Sequence, residues 1–247
     1  MSSETINNIG YYQSIESFAL VDGPGVRSVL FLQGCPLRCL FCHNPDTFIF
    51  SKNNPITPLD AFNKLIKYKP YWQDNGGITI SGGEPLSQID FLLEFSKICK
   101  KNNISLVIDT AGYPFNRKEP YFSKFKELLM NVDLFLLDIK TLDRDEHIKL
   151  TGKDNDSILD LFSYLNEINF PIWIRRVLVP TINDSEKELY KEKDFISNLK
   201  NVKKVEVLPY HTLGIFKYEK LGIEYKLKDI KVPTAEEIKK VEDILSL

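Results

Sequence analysis

The chain lacks the features that would place a protein outside the cytosol. No apolar run is long enough to span a bilayer, and the first residues, MSSETINNIGYYQ, lack the basic and apolar regions of a signal peptide. The net charge of −2 also lacks the basic excess that nucleic acid or an anionic membrane attracts. We therefore expect a cytoplasmic protein with no nucleic-acid partner and no membrane partner.

Cysteine is scarce as well, with four in 247 residues. Thiols stay reduced in the cytosol, so cysteines that cluster there indicate metal binding or catalysis rather than disulfides. The chain shows no fixed-period repeat, no low-complexity tract and no linker rich in Pro, Gly or Ser. With 43% hydrophobic and 12% aromatic residues it can build a sizeable core. These absences favour one folded domain over residues 1–247.

What is present is an alternation of short β-branched runs and longer amphipathic ones. The predicted strands are Arg27–Leu32, Ile78–Ser81, Ser105–Asp109, Leu134–Asp138, Ile172–Val179 and Lys204–Leu208. The predicted helices are 57–68, Asp90–Asn102, Phe122–Met130, Asp143–Thr151, Ser157–Ile168, Ser185–Leu199 and Thr234–Leu245, the last opened by a capping box. Six strong strands are fewer than the eight of a closed barrel. The pattern predicts an α/β fold, a partial (βα)6 TIM-type barrel with a parallel sheet and outer helices, with its chemistry at the carboxyl ends of the strands.

Three of the four cysteines, Cys35, Cys39 and Cys42, lie in the stretch GCPLRCLFCHN directly after the first predicted strand. Their spacing also matches one helix face, but Gly34 and Pro36 disfavour a helix there. A structural zinc site needs four ligands, and His43 follows Cys42 too closely to close a tetrahedron easily. Iron–sulfur clusters are held by thiolates, and three of them leave one iron open. Cys99 lies in a predicted helix and is interpreted as a small buried hydrophobe.

A second motif, ISGGEPL, spans Ile80 to Leu86 at the end of the next strand. Gly82 and Gly83 permit close backbone approach or unusual backbone angles, which a tight turn needs as much as a ligand does. Glu84 is a candidate acceptor for an ammonium group. The motif is weak alone, and its combination with the cysteine stretch is much more specific.

Together these two motifs resemble the radical S-adenosylmethionine superfamily. Within it, the chain is similar to the glycyl-radical activases that act on pyruvate formate-lyase. The further stretches that carry this resemblance are VDGPGVR, CHNPDTF, DTAGY, LLDIK, WIRRVLVP and LPYHTLG, in this order from Val21 to Gly214. The resemblance covers the chain from about Gly10 onward.

The resemblance implies two cofactors. Cys35, Cys39 and Cys42 would hold three irons of a 4Fe–4S cluster, and S-adenosylmethionine would bind the fourth. The resulting 5′-deoxyadenosyl radical would take a hydrogen atom from a glycine in the glycyl-radical loop of pyruvate formate-lyase. The expected electron donor is a flavodoxin or ferredoxin.

The resemblance also assigns roles to individual residues. The expected contacts of S-adenosylmethionine are His43, Asn44, Gly82, Gly83, Glu84, Asp109, Asp138, Lys140, Arg175 and His211. Asp109, Thr110 and Asp138 would ligate a monovalent cation, Na⁺ or K⁺, although Leu136 departs from a methionine associated with that site. Asp22, in a turn before the first predicted strand, would pair with a cation of the partner peptide.

Three alternatives remain open at this point. The chain could activate another glycyl-radical enzyme, although many of those carry a cysteine-rich insert and residues 44–76 contain no cysteine. It could be a radical enzyme for a small molecule such as a deazapurine precursor. The non-enzymatic alternative is an iron–sulfur electron carrier or a zinc-binding module, for which a fourth cysteine near the others is missing.

Overall fold

The structure is a computed structural model that describes residues 8–246. Its contacts divide the chain into two compact units. The first contains Met1–Pro36 and Thr47–Leu136, and the second contains Leu37–Asp46 and Leu137–Leu247. The expectation of one functional domain over residues 1–247 stays a prediction.

The first unit is built on five strands and the beginning of a sixth. The five are β1 (Gly10–Ala19), β2 (Arg27–Leu32), β3 (Pro55–Ile56), β4 (Gly77–Gly82) and β5 (Leu106–Thr110). β2, β4 and β5 are parallel neighbours, whereas β1 runs antiparallel to both β2 and β3. Parallel strands are buried on both faces, which is why nearly every residue of β2 and β4 is buried, including the polar Ser28 and Thr79.

Three α-helices cover this part of the sheet: α1 (Pro58–Leu65), α2 (Ile89–Lys101) and α3 (Tyr121–Leu129). Thr57 caps α1 by accepting a hydrogen bond from the Asp60 amide, and Pro58 occupies the first turn. α2 buries Phe91 and Phe95 at helical spacing, as its sequence pattern predicts.

A sixth strand, β6 (Leu134–Asp138), crosses the boundary, since Leu136 belongs to the first unit and Leu137 to the second. The second unit adds β7 (Ile172–Leu178) and β8 (Val202–Pro209), which pair in parallel. The strands follow the linear order β3-β1-β2-β4-β5-β6-β7-β8, so the sheet is open.

Five helices belong to the second unit: α4 (Arg144–Thr151), α5 (Asp156–Glu167), α6 (Glu186–Ser197), α7 (Ile215–Leu221) and α8 (Ala235–Leu245). Asp143 and Ser185 cap α4 and α6. At α8, Thr234 and Glu237 form the predicted capping box.

The predicted fold class is confirmed: the sheet is mostly parallel, open and covered by helices, as in a partial barrel. All six predicted strands and all seven predicted helices are present, with ends shifted by a few residues. β1, β3 and α7 were not predicted. Within residues 8–246, no helix is both long enough and apolar enough to cross a lipid bilayer.

Candidate functional site

Glu84 is the most enclosed acidic residue of the first unit, with 1% of its surface exposed. Its Oε1 accepts hydrogen bonds from the Thr110 hydroxyl at 2.5 Å and the Leu86 amide at 2.9 Å, and its Oε2 accepts one from the Ala111 amide at 2.9 Å. Burial raises the pKa of Glu84 to about 8, although these three hydrogen bonds act in the opposite direction. A cation beside the carboxylate would favour its charged form, so this position suits the ammonium group of a ligand.

Gly82 and Gly83 bring the chain to Glu84 by passing very close to the backbone that follows β2. A Cβ on Gly82, whose φ is +112°, would lie 2.2 Å from the Leu32 nitrogen, and one on Gly83 would lie 2.2 Å from the Gly34 carbonyl oxygen. The Glu84 amide donates a hydrogen bond to that Gly34 carbonyl. The glycines are therefore required by the packing of the turn itself, and their predicted contact with a cofactor stays a prediction.

Asp109 and Thr110 end β5, next to the Gly82–Glu84 turn. The Ser81 hydroxyl donates to Asp109 Oδ2 at 2.7 Å, and the Thr110 hydroxyl, besides donating to Glu84, accepts from the Gly112 amide. The carboxyl ends of β4 and β5 thus bring three predicted site residues together in the first unit.

Hydrogen bonds to backbone carbonyls hold the turn that contains Asp22 in place. The Asp22 carbonyl accepts one from the Thr79 hydroxyl at 2.6 Å, and the Pro24 carbonyl accepts one from the Arg27 side chain. Arg27 is fully buried and also donates to Thr79 Oγ1 and to the Ile78 and Ser105 carbonyls. Burial lowers the pKa of Arg27 to about 10, which still leaves it charged at neutral pH. Sequence analysis missed Arg27 because most of its partners lie more than 50 residues further along the chain.

The cysteine loop, residues 35–46, follows β2 and contains no α-helix, although a short 3-10 helix (Pro45–Thr47) begins near its end. Cys35 belongs to the first unit, and Cys39 and Cys42 belong to the second. All four cysteines lie in the described residues, and none of them forms a disulfide; Cys35, Cys39 and Cys42 are partly exposed, whereas Cys99 is buried as predicted. In the second unit, the Arg38 and Leu40 amides bond to the carbonyls of Thr151 and Leu150 at the end of α4.

The sulfur of Cys42 has a backbone hydrogen-bond donor, and its surroundings favour the protonated thiol while no metal is bound. Its Sγ accepts a hydrogen bond from the Asn44 amide at 3.4 Å, as sulfur ligands of iron–sulfur clusters do. Burial, together with the nearby Cys39, raises the pKa of the uncoordinated Cys42 thiol to about 12. Among residues 8–246, no group of three or more His, Cys, Asp or Glu side chains is arranged to hold a single metal ion.

His43 and His211, predicted independently, lie together in the second unit. Their rings stack with centroids 3.6 Å apart, and His43 Nε2 lies 3.1 Å from the His211 carbonyl oxygen, to which it donates in the tautomer that this contact requires. Burial and the neighbouring His211 lower the pKa of His43 to about 4, so it is neutral at pH 7. The pair lies directly beside the Cys42 end of the cysteine loop.

Asp138 and Lys140, at and just beyond the end of β6, form an ion pair with 2.7 Å between Oδ2 and Nζ. Lys140 also lies 5.2 Å above the centroid of the Phe41 ring, in the cysteine loop. The apolar run of β6 ends at Asp138, so both side chains lie at the carboxyl end of this strand, as predicted.

Arg175 and Arg176 point to opposite faces of β7, as adjacent strand residues must. Arg175 pairs with Glu206 of β8 at 3.1 Å. Arg176 instead pairs with Glu192 of α6 at 2.6 Å. Glu206 was missed by sequence analysis because only the pairing of β7 with β8, which places it opposite Arg175, identifies it.

Sequence analysis also missed Lys217 and Tyr218, which lie on α7. Lys217 Nζ donates to Asn44 Oδ1 at 2.9 Å, and the Tyr218 hydroxyl donates to the Cys42 carbonyl at 3.0 Å. Both contacts join residues more than 170 positions apart. No short motif could have revealed them.

Comparison with known proteins shows the family to which the chain belongs. Residues 29–192 match the radical SAM superfamily. The chain is 45% identical over 238 residues to a pyruvate formate-lyase-activating enzyme of Listeria monocytogenes, with 96% of each chain covered. It is 46% identical to the protein of the same name from Clostridium pasteurianum, over 96% of this chain and 97% of that one.

Solved structures agree as well. A domain of a pyruvate-formate lyase-activating enzyme from Bacteroides vulgatus superimposes with a TM-score of 0.57 and 26% identity, over 69% of this chain and 93% of that one. Streptococcus suis SuiB, in a crystal structure with S-adenosylmethionine bound, has a TM-score of 0.63 at 21% identity, over 86% of this chain and 44% of that one. The second likeness concerns the fold alone.

Proposed function

This chain belongs to the radical SAM superfamily and, within it, to the family of pyruvate formate-lyase-activating enzymes, and from that premise we propose that it installs a glycyl radical on pyruvate formate-lyase. The observation that carries the proposal is the pairing of two motifs in a chain so similar to that family. One is the three-cysteine loop after β2, and the other is the buried Glu84 after β4.

Cys35, Cys39 and Cys42 would supply three thiolates to a 4Fe–4S cluster. Three observations support this assignment. The cysteines have C-x3-C-x2-C spacing, the described cysteines form no disulfide, and the Asn44 amide donates a hydrogen bond to Cys42 Sγ. When bound, the cluster and S-adenosylmethionine supply a 5′-deoxyadenosyl radical, which removes a hydrogen atom from the partner's glycine. Every other contribution must come from side chains that bind, orient or exclude water.

Glu84 would bind the ammonium group of S-adenosylmethionine. The three hydrogen bonds donated to its oxygens hold the carboxylate in one orientation. Its burial keeps water away, which strengthens the attraction between unlike charges. The cost of burying this carboxylate alone is offset when the ammonium group binds.

The remaining cofactor contacts follow the family resemblance. Lys140 and Arg175 would face the carboxylate of S-adenosylmethionine, and both are buried cations that already pair with acids. The other proposed contacts are His43, Asn44, Gly82, Gly83, Asp109, Asp138 and His211. Asp109, Thr110 and Asp138 would provide oxygen ligands to a monovalent cation, since hard oxygen donors suit a hard cation.

The partners also follow from the family. We propose that Asp22 pairs with a cation of the partner's glycyl-radical loop, in the cytoplasm, and that a flavodoxin or ferredoxin supplies the electron. Replacing Asp22 with Ala should weaken activation of the partner and leave cluster assembly intact. Loss of the cluster in D22A would refute this role.

The direct test is anaerobic incubation of the cluster-loaded protein with reductant, S-adenosylmethionine and pyruvate formate-lyase, followed by electron paramagnetic resonance. We expect the doublet of a glycyl radical on pyruvate formate-lyase. Parallel reactions contain other glycyl-radical enzymes in place of pyruvate formate-lyase. A doublet on one of those enzymes instead would identify it as the partner.

The chain offers a matched pair of control variants. Cys39→Ser should abolish the doublet and reduce the iron content, because it removes a cluster thiolate. Cys99→Ala should keep both, because Cys99 is fully buried in α2 and far from the loop in sequence. Equal iron content and equal radical yield in the two variants would contradict the assignment of the cysteines.

A further inference from the structure

The segment that follows β8, residues 211–218, contacts the end of the cysteine loop at several successive points. We call it the clamp segment. It begins with the stacked His211 and His43 rings and the hydrogen bond from His43 Nε2 to the His211 carbonyl. These two contacts fix the ring that directly follows Cys42.

Gly214 continues the contact along the backbone. A Cβ at this position would lie 3.2 Å from both the Cα and the carbonyl oxygen of His43. Such spacing is tighter than ordinary packing of a side chain, so glycine allows the clamp segment to lie directly against the loop.

Lys217 and Tyr218, in the first turn of α7, complete the clamp. Lys217 Nζ bonds to Asn44 Oδ1 at 2.9 Å and pairs with Asp46 at 3.3 Å. The Tyr218 hydroxyl donates to the Cys42 carbonyl at 3.0 Å, and Tyr218 is only 4% exposed. The clamp segment therefore contacts Cys42, His43, Asn44 and Asp46.

Tyr218 is itself held by other tyrosines. Its ring packs edge-on against Tyr225 with centroids 4.9 Å apart, and the Tyr225 hydroxyl lies 2.6 Å from the hydroxyl of the fully buried Tyr210. Tyr210 belongs to a buried cluster that also contains Phe41 of the cysteine loop. Tyr218, which donates to the Cys42 carbonyl, therefore packs against a buried aromatic cluster of the second unit.

We propose that Tyr218 is a positioning residue for the third cluster thiolate, an inference that rests on the proposed function. By holding the Cys42 carbonyl, Tyr218 fixes the turn in which the Asn44 amide donates to Cys42 Sγ. Hydrogen bonds around the sulfur ligands of an iron–sulfur cluster stabilise its reduced, more negative form, and partners beyond the ligands orient them. The Tyr218 hydroxyl therefore raises the reduction potential of the cluster and slows its loss.

The test compares Tyr218→Phe with Tyr225→Phe in the full-length, cluster-loaded protein. Both variants remove one hydroxyl from the same aromatic group, but only Y218F removes a donor to the cysteine loop. We expect the Y218F cluster to have a more negative midpoint potential in an anaerobic titration followed by electron paramagnetic resonance. It should also lose iron to a chelator about fivefold faster, the factor that corresponds to one buried hydrogen bond. Y225F should match the wild type in both measurements.

Lys217→Gln tests the clamp segment independently at a partly exposed position, where folding is not at risk. It should shift the potential in the same direction as Y218F and also speed the loss of iron. Y218F could also fold and yet fail to retain its cluster while Y225F retains it. That outcome would support the proposal more strongly than a shifted potential. If Y218F does not fold, K217Q decides whether the clamp segment positions the cysteine loop, and a wild-type potential and iron-loss rate in K217Q would then overturn the proposal.

Y218F and K217Q with the potential and iron-loss rate of the wild type would overturn the inference, as would an equal shift in Y225F. A wild-type protein that binds no iron–sulfur cluster at all would instead overturn the proposed function. The two failures are therefore distinguishable in one set of samples.

Discussion

At the scale of single residues, the buried environment of Glu84 disfavours the ionised form of its carboxyl group. It is enclosed by protein, and its three hydrogen-bond donors are neutral. Its pKa of about 8 lies above the ordinary value of 4.5. The unfolded chain therefore releases the Glu84 proton at a lower pH than the folded chain does.

This difference predicts a pH-dependent loss of stability in the protein without cofactors. Between about pH 4.5 and 8 the folded state holds one more proton than the unfolded state, so stability falls as pH rises, by at most about 1.4 kcal/mol per pH unit. Glu84→Gln cannot ionise and should lack this contribution. Thermal unfolding of both proteins from pH 5 to 8 should show the advantage of E84Q growing with pH. A constant difference across this range would contradict the raised pKa.

Arg176 and Glu192 form a second buried charge system, in the second unit, with 1% and 0% of their side chains exposed. Arg176 also donates to the Asn183 carbonyl and so joins β7 to the start of α6. Burial raises the pKa of Glu192 to about 7 despite its cationic partner. Removing one member of such a pair leaves the other charge buried without compensation.

Arg176→Met should therefore destabilise the protein by about 3–5 kcal/mol. The double variant R176M/E192L removes both charges and should recover most of that loss, because apolar side chains of similar size replace a buried pair at little cost. Urea unfolding of the wild type and both variants is the measurement. An R176M protein within about 1 kcal/mol of the wild type would contradict the expected cost of leaving Glu192 buried without its partner.

At the scale of elements, the sequence predicts the parallel part of the sheet well and its antiparallel part poorly. β2 and β6 have the predicted bounds because a buried parallel strand is a short, continuous apolar run. β1 was missed because it is only partly buried and contains polar residues throughout. α7 was missed because it is seven residues long, although Gly214 and Gly222 mark its ends.

The turn after β4 depends on glycine in a way that can be tested against a second glycine. Gly82→Ala would place a Cβ against the Leu32 backbone, which cannot move without disturbing the pairing of β2 with β4. Gly222 also has a positive φ, of +65°, but a Cβ there meets nothing within 4 Å. G222A should cost only the conformational penalty of about 1–2 kcal/mol, and G82A should cost clearly more. Equal urea midpoints for the two variants would contradict the close approach.

At the scale of the whole molecule, the candidate site residues fall into two groups, those that short motifs reveal and those that only folding brings to their partners. The cysteine loop, the Gly82–Glu84 turn and the strand-end residues Asp109 and Asp138 are visible in sequence because each is local. The support around them is not visible: Tyr218 reaches Cys42 across 176 positions and Arg27 reaches Ser105 across 78. Only the packing of helices and strands brings such residues together, so no spacing rule predicts them.

We propose that three thiolates hold a cluster able to cleave S-adenosylmethionine, and that the radical so formed takes a hydrogen atom from a protein glycine. The amount of 5′-deoxyadenosine formed anaerobically by the cluster-loaded protein with reductant, S-adenosylmethionine and pyruvate formate-lyase tests this assignment. We predict that 5′-deoxyadenosine and the glycyl radical appear in equal amounts. A fully loaded protein that leaves S-adenosylmethionine intact under these conditions would contradict the account.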